Sequence, residues 1–286
     1  MTTDLKAQKQ KKRKRLWILL ICIVLLIAFA VSLHVSNTCI KVTHFTLESE
    51  KVASPLRFAV ISDLHSREFK DNNEKLFSLI KEQDPDIILL VGDIISNSKT
   101  DEEGLAYFKE IYEQFCAIAP VYTSLGNHER YEPATDKIKA TIQQTDAFLL
   151  ENSYKDINLN GDKIRLFGLS YYRSWDPDSN AFISDCLQTE PDVFALLLCH
   201  NPEFYQWGIK NYPIDLTVSG HTHGGMFKLP LIGPVYAPEQ GLFPKYGAGF
   251  FEEENGCLAV TTGLASSPEY MPRIFNRPEI MIIDVK

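Results

Sequence analysis

The chain is 286 residues long, with 45% hydrophobic and 23% charged side chains and a formal net charge of −8. That composition excludes a disordered chain and a repeat array, and it suits one large α/β domain behind an N-terminal segment. So acidic a body repels a phosphate backbone, and nucleic-acid backbone binding is not expected.

The first fifteen residues oppose this trend: Lys6, Lys9, Lys11, Lys12, Arg13, Lys14 and Arg15 face only Asp4. Leu16–Leu33 then reads LWILLICIVLLIAFAVSL, with Ser32 its one polar residue. At ~1.5 Å per residue such a helix spans ~27 Å, close to the ~30 Å of a bilayer core. It has no polar face to turn toward water, which argues against a core helix of a soluble domain. Basic residues directly ahead of the span predict a cytoplasmic N-terminus and an extracytoplasmic body at the cell membrane. Ala28-Phe29-Ala30 also resembles a signal-peptide cleavage site, so secretion after cleavage is the alternative. The expected organisation is a basic segment (1–15), a transmembrane anchor (16–35), a linker with a possible leading strand (36–55) and a catalytic domain (56–286). Cys22, Cys39, Cys116, Cys186, Cys199 and Cys257 form no CxxC pair. Free thiols are expected, although export permits disulfides.

Beyond the linker, five short apolar runs read as buried parallel strands: Arg57–Ser62, Asp86–Val91, Val121–Leu125, Val193–Cys199 and Ile214–Ser219. Residues 72–83 have helical spacing, with Leu76, Leu79 and Ile80 on one face, and residues 102–116 read as a second helix. This alternation predicts a layered α/β domain. Asn160-Gly161-Asp162 marks a hairpin turn between Ile157–Leu159 and Lys163–Leu169. Runs near Gly256–Thr262 and Glu279–Val285 are candidates for a second sheet.

Each of the five runs ends in metal-competent residues. The first is followed by Asp63-Leu64-His65, the second by Gly92-Asp93 and the third by Gly126-Asn127-His128-Glu129. The fourth leads into His200, and the fifth into Gly220-His221-Thr222-His223. The carboxyl ends of strands are where α/β sheets bind ligands. Taken singly, these motifs are weak: Gly-Asp is a common turn, and Asn before a helix is a common cap. Together they hold five of the seven histidines, leaving out only His34 and His44. Imidazole with carboxylate suits Mn, Fe or Zn better than Ca or Mg. The set exceeds what one ion needs, which points to two ions about 3.5–4 Å apart.

In this order the motifs resemble the calcineurin-like metallophosphoesterase superfamily over about residues 56–286. The stretches GHTHGG (Gly220–Gly225) and PRIFNRPEI (Pro272–Ile280) resemble its bacterial membrane-associated members. The resemblance implies a four-layer α/β/β/α sandwich. It implies that Asp63, His65 and His223 hold one metal, that Asn127, His200 and His221 hold another, and that Asp93 bridges them. His128 is then no ligand; it contacts the phosphate and serves the leaving oxygen. Glu129 is expected to orient His128, as carboxylates near metals orient imidazoles. Ser96 stands where the family often has a second acid.

The expected activity is metal-dependent hydrolysis of phosphate mono- or diesters, by direct attack of a metal-bridging hydroxide. The alternative is a metal-loaded binding or scaffold protein with little catalysis, which would have no use for His128. Residues 224–251 carry Met226, Phe227, Leu229, Leu231, Ile232, Tyr236, Phe243, Tyr246, Phe250 and Phe251. They form either a loop packed on the second sheet, or a site wall or membrane-facing lip suited to a lipid or cell-envelope phosphate. Arg67, Lys228, Lys245, Arg273 and Arg277 are candidate anion contacts. No protein partner is indicated.

Overall fold

The computed structural model describes residues 2–70, 72–130, 134–169, 177–188, 192–225, 227–266 and 271–286. The chain opens with a helix, α1 (Thr2–Thr38). It outruns the apolar run at both ends, because the Lys- and Gln-rich start is itself a good helix former. At the far end, Asn37 Nδ2 donates to Leu33 O (2.7 Å) and Thr38 Oγ1 to His34 O (2.8 Å), side-chain bonds back to the carbonyls of the preceding turn. The span Gln8–Thr38 is long and apolar enough to cross a membrane, and no residue of its most apolar window is buried in the protein.

Seven strands and three helices come next: β1 (Lys41–Leu47), β2 (Leu56–Ile61), α2 (Glu74–Lys81), β3 (Ile87–Val91), α3 (Glu102–Cys116), β4 (Val121–Ser124), α4 (Thr135–Ile142), β5 (Phe148–Leu149), β6 (Ser153–Leu159) and β7 (Asp162–Gly168). Then follow α5 (Pro177–Gln188), β8 (Phe194–Leu198), α6 (Glu203–Trp207) and β9 (Leu216–Ser219). Two small hairpins pair β10 (Lys228–Leu229) with β11 (Gly233–Pro234) and β12 (Tyr236–Ala237) with β13 (Gly241–Leu242). The chain closes with β14 (Gly249–Glu253), β15 (Gly256–Val260) and β16 (Glu279–Val285).

The long strands form two six-stranded sheets, ordered β1-β16-β2-β3-β4-β5 and β14-β15-β9-β8-β7-β6. Val60, Leu89, Leu196, Leu198 and Val218 belong to the apolar layer between the sheets. On the outer face of the first sheet, Leu76, Phe77 and Ile80 of α2 pack with Phe108, Ile111 and Phe115 of α3. Ile183 of α5 and Phe204 of α6 cover the second sheet. The result is the expected four-layer sandwich. β2, β3 and β4 run parallel in one sheet, and β7, β8 and β9 in the other. The five apolar runs are therefore split between two sheets.

β15 joins the second sheet, but β16 does not. It lies in the first, antiparallel to β2 with Met281 opposite Val60. Buried almost throughout, β16 is apolar on both faces, as an inner strand requires. Periodicity alone does not say which sheet such a strand enters.

Candidate metal centre

The polar clusters meet at one edge, where the strands of both sheets end. Several site residues sit in the left-handed region: Asp63 (φ 54°), His65 (φ 49°), Asp93 (φ 55°), His221 (φ 68°) and His223 (φ 50°). Such backbone is uncommon away from glycine and persists only where the surroundings impose it. The motif glycines have a matching cause. A Cβ on Gly126 would collide with Asp93, and one on Gly220 with Ser62 and Asp63. Four strand ends, those of β2, β3, β4 and β9, can converge only without those side chains.

Ligand atoms of Asp63, His65 and His223 cluster within 4.8 Å, and so do those of Asp93, His200 and His221. His223 Nε2 lies 3.6 Å from Asp63 Oδ1, and His65 Nε2 lies 3.9 Å from the same oxygen. On the other side His200 Nε2 is 3.3 Å from Asp93 Oδ2, and Asn127 Oδ1 is 3.0 Å from His221 Nδ1. Asp93 Oδ2 also lies 3.7 Å from His65, so it stands between the two groups. His200 Nδ1 donates to Val91 O (2.7 Å) and His223 Nδ1 to Ala265 O (3.0 Å), which turns each Nε2 toward the carboxylates. The buried Nε2 atoms of His65 and His200 have no hydrogen-bond partner. Buried nitrogens without partners are costly, and coordination of a cation relieves them. The donor set fits two divalent ions.

The electrostatics fit as well. Burial alone would raise the Asp93 carboxyl, but His200 and His65 hold it well below the ordinary carboxylate range. Asp63 is likewise lowered, with His223 and His200 outweighing burial. Burial pushes His65 down to about 3, so it stays neutral. For His200, burial is overcome by Asp93 and Asp63, which lift it to about 10. Carboxylates that hold a proton on this imidazole also favour a cation in its place.

His128 lies on the rim, its ring centroid 4.4 Å from that of His65 and its Nδ1 accepting from Asn97 N (3.3 Å). The expectation for Glu129 is corrected. Its carboxylate accepts from Asp93 N (2.8 Å), Ile94 N (2.6 Å), Ile95 N (3.2 Å) and Gly126 N (2.9 Å), rather than meeting the His128 ring. It pins the Asp93 turn to the Gly126 turn. Those backbone donors lie close by only because β3 and β4 are neighbours. Burial, with Asp93 nearby, raises Glu129 to about 7.

One contributor carries no sequence signal: Glu239, an isolated acid in the β12–β13 turn, places Oε2 2.7 Å from His221 Nε2. Asn276, within the PRIFNRPEI stretch, is given no role by the sequence; its Nδ2 donates to His223 O (2.6 Å). Of the candidate anion contacts, Arg273 is turned inward as a strut, donating to Thr262 O (2.6 Å) and Asn276 O (2.8 Å). Arg277 donates to Cys39 O and Ile40 O, and Lys245 pairs with Glu253. Lys228 is largely buried, which lowers it to about 8. Arg67 donates to Leu264 O and Asn37 O and also lines a cleft of about 440 Å³ that runs past His65, Ser66, Ala265, Pro272 and, from α1, Asn37.

The apolar stretch 224–251 divides. Ala237 and Tyr246 are buried, whereas Leu231, Ile232, Leu242 and Phe243 are exposed; Met226 lies outside the described residues. All six cysteines are free, and Cys199 belongs to the outer core cluster of the second sheet while neighbouring His200 serves the centre.

A four-layer sandwich with imidazole and carboxylate groups at its strand ends is the architecture of a metallophosphoesterase. The chain belongs to the calcineurin-like phosphoesterase family, whose model matches residues 56–225. It is 26% identical over 263 residues to the metallophosphoesterase YkuE of Bacillus subtilis, covering 86% of each chain. It is 27% identical over 241 residues to the phosphodiesterase YaeI of Escherichia coli, covering 82% of this chain and 83% of that one. Among solved structures, the sulfate thiohydrolase SoxB of Thermus thermophilus matches 80% of this chain and 56% of its own at 11% identity with a TM-score of 0.51. That likeness is one of fold.

Proposed function

We propose that residues 56–286 form a phosphoesterase domain that hydrolyses phosphate mono- or diesters outside the cytoplasm, held at the cell membrane by α1. The observation that carries this reading is the pair of donor sets meeting at Asp93, with the Nε2 atoms of His65 and His200 buried and unpartnered. Asp63, His65 and His223 would hold one ion, and Asn127, His200 and His221 the other, with Asp93 common to both. Manganese, zinc and iron suit such a set. Bound ions supply a water acidic enough to attack phosphorus at neutral pH and offset the charge on the phosphoryl oxygens.

The chain's own groups do the rest. Carbonyls of Val91 and Ala265 fix the rings of His200 and His223. The Glu239 carboxylate steadies His221, and Glu129 holds Asp93 in register with the Gly126 turn. His128, on the rim with Nδ1 accepting from Asn97 N, would carry its ring hydrogen on Nε2 and donate a hydrogen bond from there to the departing oxygen. The diester half is supported by the name of YaeI as a phosphodiesterase, which is said of that protein. The charge order around α1 supports the topology, by the positive-inside rule.

The test is reconstitution of the full chain with Mn, Zn or Fe(II), followed by assay on an aryl phosphomonoester and an aryl phosphodiester. His128→Ala should keep its metal and lose about 10²–10³-fold in turnover, the usual worth of one hydrogen-bond donor to a developing oxyanion. Asp93→Ala should lose metal and activity together. Metal-replete protein inert toward both esters would overturn the reading and leave a metal-loaded binding protein.

A further inference from the structure

Helix α1 is fastened to the domain at the edge that carries the metal centre. Asn37 Nδ2 donates to Arg273 O (3.0 Å), Arg273 N returns a bond to Asn37 Oδ1 (3.0 Å), and Asn276 N donates to Ser36 Oγ (3.2 Å). The contact reaches into the apolar span. Phe29 meets Phe275 edge to face, with ring centroids 6.5 Å apart. Phe29 lies within Leu16–Leu33, so Phe275, although part of the domain, packs against the apolar span itself.

The same segment carries an apolar lip. Phe227 bridges to Ile274, and Lys228 N donates to Ile274 O (3.1 Å), which hangs the β10–β11 hairpin beside Phe275. Val235 N donates to Phe227 O (2.9 Å) and Phe243 N to Val235 O (2.8 Å), adding the β12–β13 hairpin. The β10–β11 tip presents Leu231 (108% exposed) and Ile232 (62%), and the end of β13 away from its turn presents Leu242 (69%) and Phe243 (63%). Leu231, Phe243 and Phe275 also take left-handed backbone (φ 68°, 53° and 51°), which bulky residues rarely adopt. Leaving a large apolar side chain in water forgoes the stabilisation that burying it would bring. Here several such side chains sit on hairpins tied to the segment that meets α1, and exposed apolar groups gathered in that way mark an interaction site.

We propose that Leu231, Ile232, Leu242, Phe243 and Phe275 insert into the interfacial layer of the membrane that α1 crosses, so that the cleft between Asn37 and His65 opens onto the lipid head groups. On the phosphoesterase reading, the substrate class follows: the phosphate ester of a membrane amphiphile, delivered by lateral diffusion. The docking surface itself does not depend on that reading.

The test uses the full chain in vesicles of phosphatidylcholine and phosphatidylglycerol, with a photoreactive residue at one position at a time. Leu231→p-benzoylphenylalanine and Phe243→p-benzoylphenylalanine probe the lip, and Met271→p-benzoylphenylalanine probes the cleft wall. Glu254→p-benzoylphenylalanine, in the β14–β15 turn at the strand ends remote from the centre, is the control. Thermal unfolding of each variant verifies that it is folded. Irradiation should give lipid-mass adducts at 231, 243 and 271 and none at 254. Absence of adducts at 231 and 243, or equal yield at 254, would overturn the docking surface. Adducts at the lip but not at 271 would overturn the head-group-facing cleft. No turnover enters this measurement, so a chain that crosslinks but hydrolyses nothing sinks only the phosphoesterase reading.

Discussion

Glu129 is the residue whose role changes most between a linear and a spatial view. Adjacent to His128 in the chain, its carboxylate gathers backbone N–H groups from the Asp93 turn and from Gly126. Glu129→Gln puts an amide NH₂ among those donors and leaves one oxygen to serve them. Metal affinity should fall about 10–100-fold, as for other partners that support metal ligands, and competition with a fluorescent chelator would read it. If affinity is unchanged and only turnover drops, the residue acts through His128 after all. Glu239 gives a milder case: it is half-exposed and holds one ring nitrogen of His221. Glu239→Ala should weaken metal retention, Glu239→Gln should restore most of it, and dialysis against chelator would separate the two.

At the scale of elements, the centre depends on how two sheets face each other. β8 delivers His200, and its Leu196 is fully buried between the sheets. Leu196→Ala should cost about 2–5 kcal/mol of stability, the range for truncating a buried leucine. Denaturant unfolding would measure that loss. Activity per folded molecule should persist, because Leu196 lies on the strand and not in the turn that carries the ligand. A large loss of turnover without loss of stability would show that the strand's position is tuned for chemistry. Strands β2, β3, β4, β8 and β9 stand out in the sequence as contiguous apolar runs. Helices α4, α5 and α6 do not, since short amphipathic segments owe their form to the sheet they cover. The sheet membership of β16 is hidden for a related reason: an inner strand looks the same in either sheet.

On the scale of the whole molecule, Glu279 joins β1, β16 and the end of β15 near the anchor. Its carboxylate accepts from Thr262 N (2.7 Å) and Thr43 Oγ1 (2.7 Å), with Lys41 as ion partner. Burial works to raise its carboxyl, but Lys41 and these hydrogen bonds hold it below the ordinary value of 4.5. A lowered folded-state value means a stabilising contribution present above the ordinary value and lost as pH falls through the lowered one. Glu279→Gln should therefore be about 1–3 kcal/mol less stable at neutral pH, with the gap closing in acid. Unfolding midpoints measured across pH would check this, and a pH-independent gap would refute it.

What the sequence by itself determined is local: the basic-then-apolar order of the anchor, and the ordered motifs that carry Asp63, His65, Asp93, Asn127, His128, His200, His221 and His223. Those signals sit in contiguous stretches, where charge, periodicity and strand-end placement can be read without knowing which strands are neighbours. Only the tertiary structure decided that Glu129 serves the Asp93 backbone, that Glu239 meets His221, that Arg273 is a buried strut and that Phe275 reaches α1. Each of these depends on atoms far apart in the chain meeting across paired strands, and no spacing within one segment encodes that.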